Sequence, residues 1–143
     1  MEYVDHFMDL EVYKLVRQLS IRIFEITKTF PKAETYALTD QVRRSSRSIG
    51  GQIAEAWGKR DYERHFISKL TDADGEQLET QHWLRTSMDC SYITDEVGNP
   101  LLGDYQLLGK MIYTMILKAP SFCSSKKKKK GWKDQDTKGK GKT

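Results

Sequence analysis

The chain has 143 residues and a mass of 16.6 kDa, enough for one hydrophobic core and too little for two, which excludes a multidomain enzyme. Its 24 Lys and Arg against 20 Asp and Glu give a net +4 and an isoelectric point near 9.0. That charge is unevenly placed: residues 124–143 hold nine lysines and two aspartates, a charge of +7, while the rest carries 15 basic and 18 acidic side chains, a charge of −3.

A hydrophobic content of 38% suits a water-soluble globular domain, and no apolar run approaches the roughly eighteen residues of a membrane span. Met1-Glu2-Tyr3-Val4-Asp5 lacks the basic and apolar regions of a secretory signal, so the expected compartment is the cytoplasm. Cys90 and Cys123 lie too far apart for a CxxC metal pair and are expected to be small buried hydrophobes.

In chain order, Leu10, Val12, Tyr13, Val16, Leu19, Ile23, Ile26 and Phe30 recur at steps of three and four, which predicts an amphipathic helix over 7–29, stopped by Phe30-Pro31. A second helix is expected from Thr39, as cap, to Gly58, with Val42, Ser46, Ile49, Ile53 and Trp57 on one face. Ser45, Ser48, Gly50, Gly51, Ala54 and Ala56 make it rich in small residues that admit a neighbouring backbone, with a bend expected at Gly50-Gly51.

Asp61 is the expected cap of a third helix that carries Tyr62, Phe66, Leu70, Ala73, Gln77, Leu78, Leu84 and Met88 and ends near Cys90. A fourth starts either at Thr94-Asp95-Glu96 or at Asn99 with Pro100 in the first position, and keeps its period through Val97, Leu101, Tyr105, Leu108, Ile112 and Met115 or Ile116 to Lys118. No stretch alternates as a half-buried strand does. Four helices on short connections predict an all-α, antiparallel up-and-down four-helix bundle over residues 1–123, followed by a lysine-rich tail, 124–143, expected to be disordered when unbound.

A di-iron bundle needs two Glu-x-x-His motifs on different helices, and the chain has one, Glu79-Thr80-Gln81-His82; His65 and His6 follow tyrosines at that spacing. There is no G-x-S-x-G elbow and no phosphate loop, so the expectation is a protein that is not an enzyme and takes no cofactor or metal. Glu55 and Glu79 read as solvated or salt-bridged carboxylates.

The basic residues are the remaining chemistry. Arg43, Arg44 and Arg47 fall within little more than one helical turn, and Lys59, Arg60 and Arg64 follow at the next junction. Arginine forks suit phosphate oxygens, so such a stripe could grip a nucleic-acid backbone; the alternative is ion pairing with acids such as Asp40, Glu55, Asp61 or Glu63. In the tail, Lys126, Lys127, Lys128, Lys129 and Lys130 with Trp132 offer charge plus one stacking ring for salt-sensitive, sequence-independent binding of RNA or DNA. A solubilising role, a nuclear-type address and adhesion to anionic lipid fit a lysine run equally.

Several stretches together resemble one family: 7–13 (FMDLEVY), 29–46 (TFPKAETYALTDQVRRSS), 53–56 (IAEA), 79–84 (ETQHWL) and 109–112 (GKMI). Over about residues 5–123 the chain is similar to the bacterial four-helix-bundle proteins named after open reading frames in intervening sequences of 23S ribosomal RNA genes. The resemblance implies a cyclic homo-oligomer, pentameric in known relatives, without established catalytic activity. One branch serves as the accessory protein of diversity-generating retroelements, where a basic pentamer binds the reverse transcriptase and nucleic acid. Arg43 and Arg44 occupy the family's paired-basic position. The chain departs from the pattern in having Ile49-Gly50 where relatives often have Ile-Pro, in an acidic body where the retroelement branch is basic, and in its tail. The functional expectation is a non-enzymatic oligomeric module that associates with nucleic acid or a ribonucleoprotein, with a protein-binding scaffold such as a reverse-transcriptase accessory ring as the alternative and a metal- or small-molecule-binding bundle third.

Overall fold

Apolar stripes at helical spacing must be buried against one another, and here they close around a single core. The structure, a computed structural model, describes residues 4–123. The long helices are α1 (Glu11–Thr27), α2 (Leu38–Gly58), α3 (Glu63–Asp89) and α4 (Asp95–Leu117), with a last turn α5 (Ala119–Phe122). Short 3-10 turns, Phe7–Asp9 and Lys32–Glu34, precede α1 and α2. Each long helix packs on the next and α4 returns to α1, with no close backbone approach between α1 and α3 or between α2 and α4, so the bundle is antiparallel and up-and-down as the sequence predicts. Leu19 and Ile23 of α1, Ile49 and Ile53 of α2, Phe66, Leu70 and Leu84 of α3, and Tyr105, Leu108 and Ile112 of α4 fill its centre. No helix among the described residues is long and apolar enough to cross a membrane. The expected tail lies outside the described residues.

The helix starts show where burial outweighs capping. Thr39 does not cap α2: the helix begins one residue earlier, at Leu38, and the Thr39 hydroxyl is buried without a partner. Burying a leucine is worth about 1.5–3 kcal/mol and a cap about 1 kcal/mol, so the start that buries Leu38 prevails. Asp61 likewise stays outside α3, where Tyr62 holds the cap position and Glu63 supplies the favourable charge of the first turn. For α4 the earlier start holds. The Thr94 hydroxyl accepts the Val97 amide at 3.3 Å, and Pro100 sits inside the helix, leaving the Glu96 carbonyl without its usual amide.

Four residues expected inside are outside, the first of them Tyr62, which precedes α3 and is exposed. The inward positions of α3 run Phe66, Leu70, Ala73, Gln77, Thr80, Leu84 and Ser87; Leu78 falls one residue off that stripe and is 55% exposed. Val97 is exposed at the start of α4, and Cys90 is exposed at the end of α3, whereas Cys123 is buried. The expected bend at Gly50-Gly51 does not interrupt α2. What Gly50 provides is proximity: a Cβ there would lie 3.3 Å from Val16 Cγ1 and 3.5 Å from Tyr13 Cε1, so α1 rests on bare backbone. On the opposite side of α2, Ser45 and Thr80 hydroxyls meet at 2.9 Å in the buried seam with α3.

The α3 terminus is a Schellman motif built on a serine. The Ser91 amide bonds the Met88 carbonyl and the Tyr92 amide bonds the Ser87 carbonyl, each at 2.9 Å, with Ser91 in the left-handed region at φ 60°. Tyr92 then packs its ring on Phe30 and donates its hydroxyl to Glu34 at 3.0 Å, which ties the α3–α4 connection to the α1–α2 connection.

Ser91→Gly removes the Cβ from a conformation that disfavours it and should raise stability by about 1 kcal/mol in urea unfolding. Gly51→Ala, at an open helical position with nothing within 4 Å of the new Cβ, should add about 0.5–1 kcal/mol. Gly50→Leu, driven into Val16 and Tyr13, should cost about 1–3 kcal/mol in the same assay.

Candidate nucleic-acid interface

Successive helical residues are turned by about 100°, so the Arg43, Arg44 and Arg47 run divides between two seams. Arg44 turns to α3. Its Nη2 lies 3.3 Å from Glu79 Oε1 and 3.3 Å from Gln41 Oε1. The acidic partner of the run is therefore Glu79, and none of Asp40, Glu55, Asp61 or Glu63; Glu55 pairs with Lys69 at 2.9 Å instead, which lowers the Glu55 carboxyl's pKa.

Arg43 and Arg47, one turn apart, lie on the α1 side of α2. The Arg43 Nε donates to Thr27 Oγ1 at 2.7 Å, and Thr27 donates in turn to the Ile23 carbonyl at 2.8 Å, so the guanidinium is anchored by its inner edge. Its two Nη groups take no partner among the described residues. Both arginines lie against the ring of Phe24, with Arg43 Cζ 4.9 Å and Arg47 Cζ 6.0 Å from its centroid, and Lys28 Nζ joins them at 4.9 Å. Neither arginine has an acidic partner among the described residues, and Phe24 is 36% exposed. Sequence reading found the arginines but missed Phe24, Lys28 and Thr27. The available signal was Phe24 itself, an aromatic residue one position off the stripe that holds Leu19, Ile23 and Ile26.

Lys59 and Arg60 are not part of this cluster. They follow α2 at its far end, about 24 Å along the helix from Arg43 at 1.5 Å per residue. Arg60 Cζ lies over Trp57, 3.6 Å from the ring centroid, and its Nε donates to the Trp57 carbonyl at 2.8 Å. The last described residues lie at the same end: Phe122 stacks on Phe66, near the start of α3, and buried Cys123 follows. Lys126, Lys127, Lys128, Lys129, Lys130 and Trp132 lie outside the described residues. Of the lone Glu-x-x-His motif, Glu79 is engaged by Arg44, and the His82 ring lies 4.7 Å from that of Trp83. No group of three or more His, Cys, Asp or Glu side chains among the described residues is arranged to hold a metal ion.

Beside the Arg44–Glu79 pair, Glu76 is half-buried with one carboxylate oxygen unpartnered. Desolvation first, then its hydrogen bond and repulsion with Glu79, push its pKa above the ordinary 4.5, against the opposing pull of Arg44 and Ser48. The folded state thus holds this proton more tightly than the unfolded chain. The resulting stability is complete below 4.5 and is lost as pH rises through the folded-state pKa. Glu76→Gln cannot ionise, so its stability relative to the parent should increase from about pH 4 to about pH 7 in paired urea titrations; a pH-independent difference would contradict the assignment.

The description that matches this chain is that of the 23S rRNA-intervening sequence proteins, over residues 8–114. No curated protein matches it. Among solved structures, it is similar to a protein of unknown function from the S23 ribosomal protein family of Bacteroides thetaiotaomicron, with 28% identity and a TM-score of 0.67 over 73% of this chain and 97% of that one. The matched span reaches from the turn before α1 almost to the end of α4 and so includes Phe24, Lys28, Arg43, Arg44 and Arg47: the chain belongs to the 23S rRNA-intervening sequence protein family.

Proposed function

We propose that the chain is a non-catalytic helical module that binds nucleic acid, alone or within a ribonucleoprotein, through the α1–α2 seam. The observation that carries this reading is the cluster of Arg43, Arg47 and Lys28 on the half-exposed Phe24, with both arginines lacking an acidic partner among the described residues. Guanidinium groups held without neutralisation favour phosphate oxygens, and backbone contacts of this kind fix position without reading sequence. Lys59 and Arg60 would add basic charge at the opposite end of the bundle, the lysines of 124–143 would raise the total, and a homo-oligomer, the pentamer of the resemblance, would multiply all of it.

A protein-binding scaffold is the second reading, and α4 favours it. Its outward side exposes Leu107, Tyr113 and Leu117, while Asp104 is engaged by Arg22. A reverse transcriptase is one partner of the kind such an accessory ring would hold.

Fluorescence anisotropy with mixed RNA and DNA probes tests the first reading. The Arg43→Ala/Arg47→Ala double variant should weaken binding about tenfold or more and flatten the dependence on salt, whereas Arg44→Ala, whose parent side chain is already paired, should change it little. A chain ended at Cys123 separates the tail's share. Unchanged binding by the double variant would refute the seam as the interface, and a monomer by light scattering at micromolar concentration would refute the ring.

A further inference from the structure

We propose that Phe24 is a stacking platform for an unpaired base, so that the α1–α2 seam prefers single-stranded RNA or DNA to a duplex. This rests on the nucleic-acid reading above and specifies the ligand of that same site.

The position of the ring is the first argument. Ile23 takes the inward place on α1 and Phe24, turned by about 100°, stays at the edge of the helix, where it is 36% exposed. Three cations surround it, with Lys28, Arg43 and Arg47 all within 6.0 Å of its centroid. A duplex offers such a seam phosphates only, because its bases are closed in the stack. A single strand offers phosphates to the arginines and a base face to the ring, and aromatic rings flanked by basic side chains are the usual means of holding one.

The second argument concerns which cation can give way. Arg43 is pinned through Thr27 Oγ1 at 2.7 Å. Lys28 is exposed, on a flexible stem, with Glu25 Oε2 at 3.2 Å as its other partner. A base that displaces Lys28 from the ring therefore loses a weak exposed cation–π contact and leaves Arg43 in place as a clamp. Stacking of a base on an aromatic side chain strengthens binding by roughly tenfold or more, against a few-fold for an exposed cation–π contact, so the exchange favours the base.

The experiment uses the full chain with labelled single-stranded RNA, single-stranded DNA and duplex DNA of one sequence, each about twelve nucleotides long. Phe24→Leu keeps apolar bulk and removes the aromatic face; Phe24→Trp retains it. Phe24→Leu should weaken single-strand binding roughly tenfold and leave duplex binding and the salt slope unchanged, with Phe24→Trp close to the parent. Circular dichroism and thermal unfolding of both variants confirm that the bundle is intact. Equal losses for single strand and duplex, or no loss for either, would overturn the stacking role while leaving the seam as an interface. If Arg43→Ala/Arg47→Ala leaves all three probes bound as before, the nucleic-acid reading of the seam fails as well. The two single-stranded probes separate RNA from DNA.

Discussion

The rotation of an α-helix by about 100° per residue, imposed on a helix that packs between two neighbours, governs the rest of the molecule. α2 lies between α1 and α3, and residues adjacent in its sequence belong to different surfaces. Ser45 meets Thr80 in the seam with α3, while Gly50 lets Tyr13 and Val16 approach on the side of α1. The same rotation sorts the charges. Arg44 reaches Glu79, and Arg43 and Arg47, facing α1, meet a helix whose nearest offering is the Phe24 ring and the Thr27 hydroxyl. A cluster that is uniformly basic in sequence becomes one neutralised arginine and two unneutralised ones.

Most of the fold was legible because burial at steps of three and four is a strong, redundant signal. Ile23, Ile49, Ile53, Leu70, Leu84, Tyr105 and Ile112 were each identified by spacing and are each buried. The errors lie where two weak preferences compete locally. Thr39 and Asp61 are good caps, yet Leu38 gains more by burial than a cap returns, and Tyr62 takes the position before Glu63. Gln77 and Leu78 are both expected on the α3 stripe, but adjacent residues cannot share it: Gln77 and Thr80 hold it and satisfy their polar groups through Asp74 and the Glu76 carbonyl, which leaves Leu78 exposed. In the candidate site, the arginines were legible from composition. Their separation was not, because it depends on which neighbour each edge of α2 meets, a tertiary fact that no local window contains.

The two basic regions are also separated lengthwise. Arg43 and Arg47 lie toward the end formed by the close of α1 and the start of α2, whereas Lys59 and Arg60 lie at the end formed by the close of α2 and the start of α3. Arg60 differs in kind as well: its guanidinium is spent on the Trp57 ring and carbonyl, which makes it part of the turn between α2 and α3 before it is part of any interface.

A net charge of −3 on the body argues against polyanion binding only if that charge is spread evenly, and it is not. α3 alone carries six acidic and three basic side chains, which equals the excess of the whole body. α1 and α2 each carry three basic and two acidic side chains. Packed helices lie about 8–10 Å apart, and the screening length at physiological ionic strength is about 8 Å. The acids of α3 thus stand at about a screening length from the α1–α2 seam, and Glu76 and Glu79 are occupied with Arg44 and with each other. At Phe24, Lys28, Arg43 and Arg47 lie at contact distance, and the one acid paired with them among the described residues is Glu25, on Lys28. Local geometry, not the overall balance of acids and bases, decides what this face attracts.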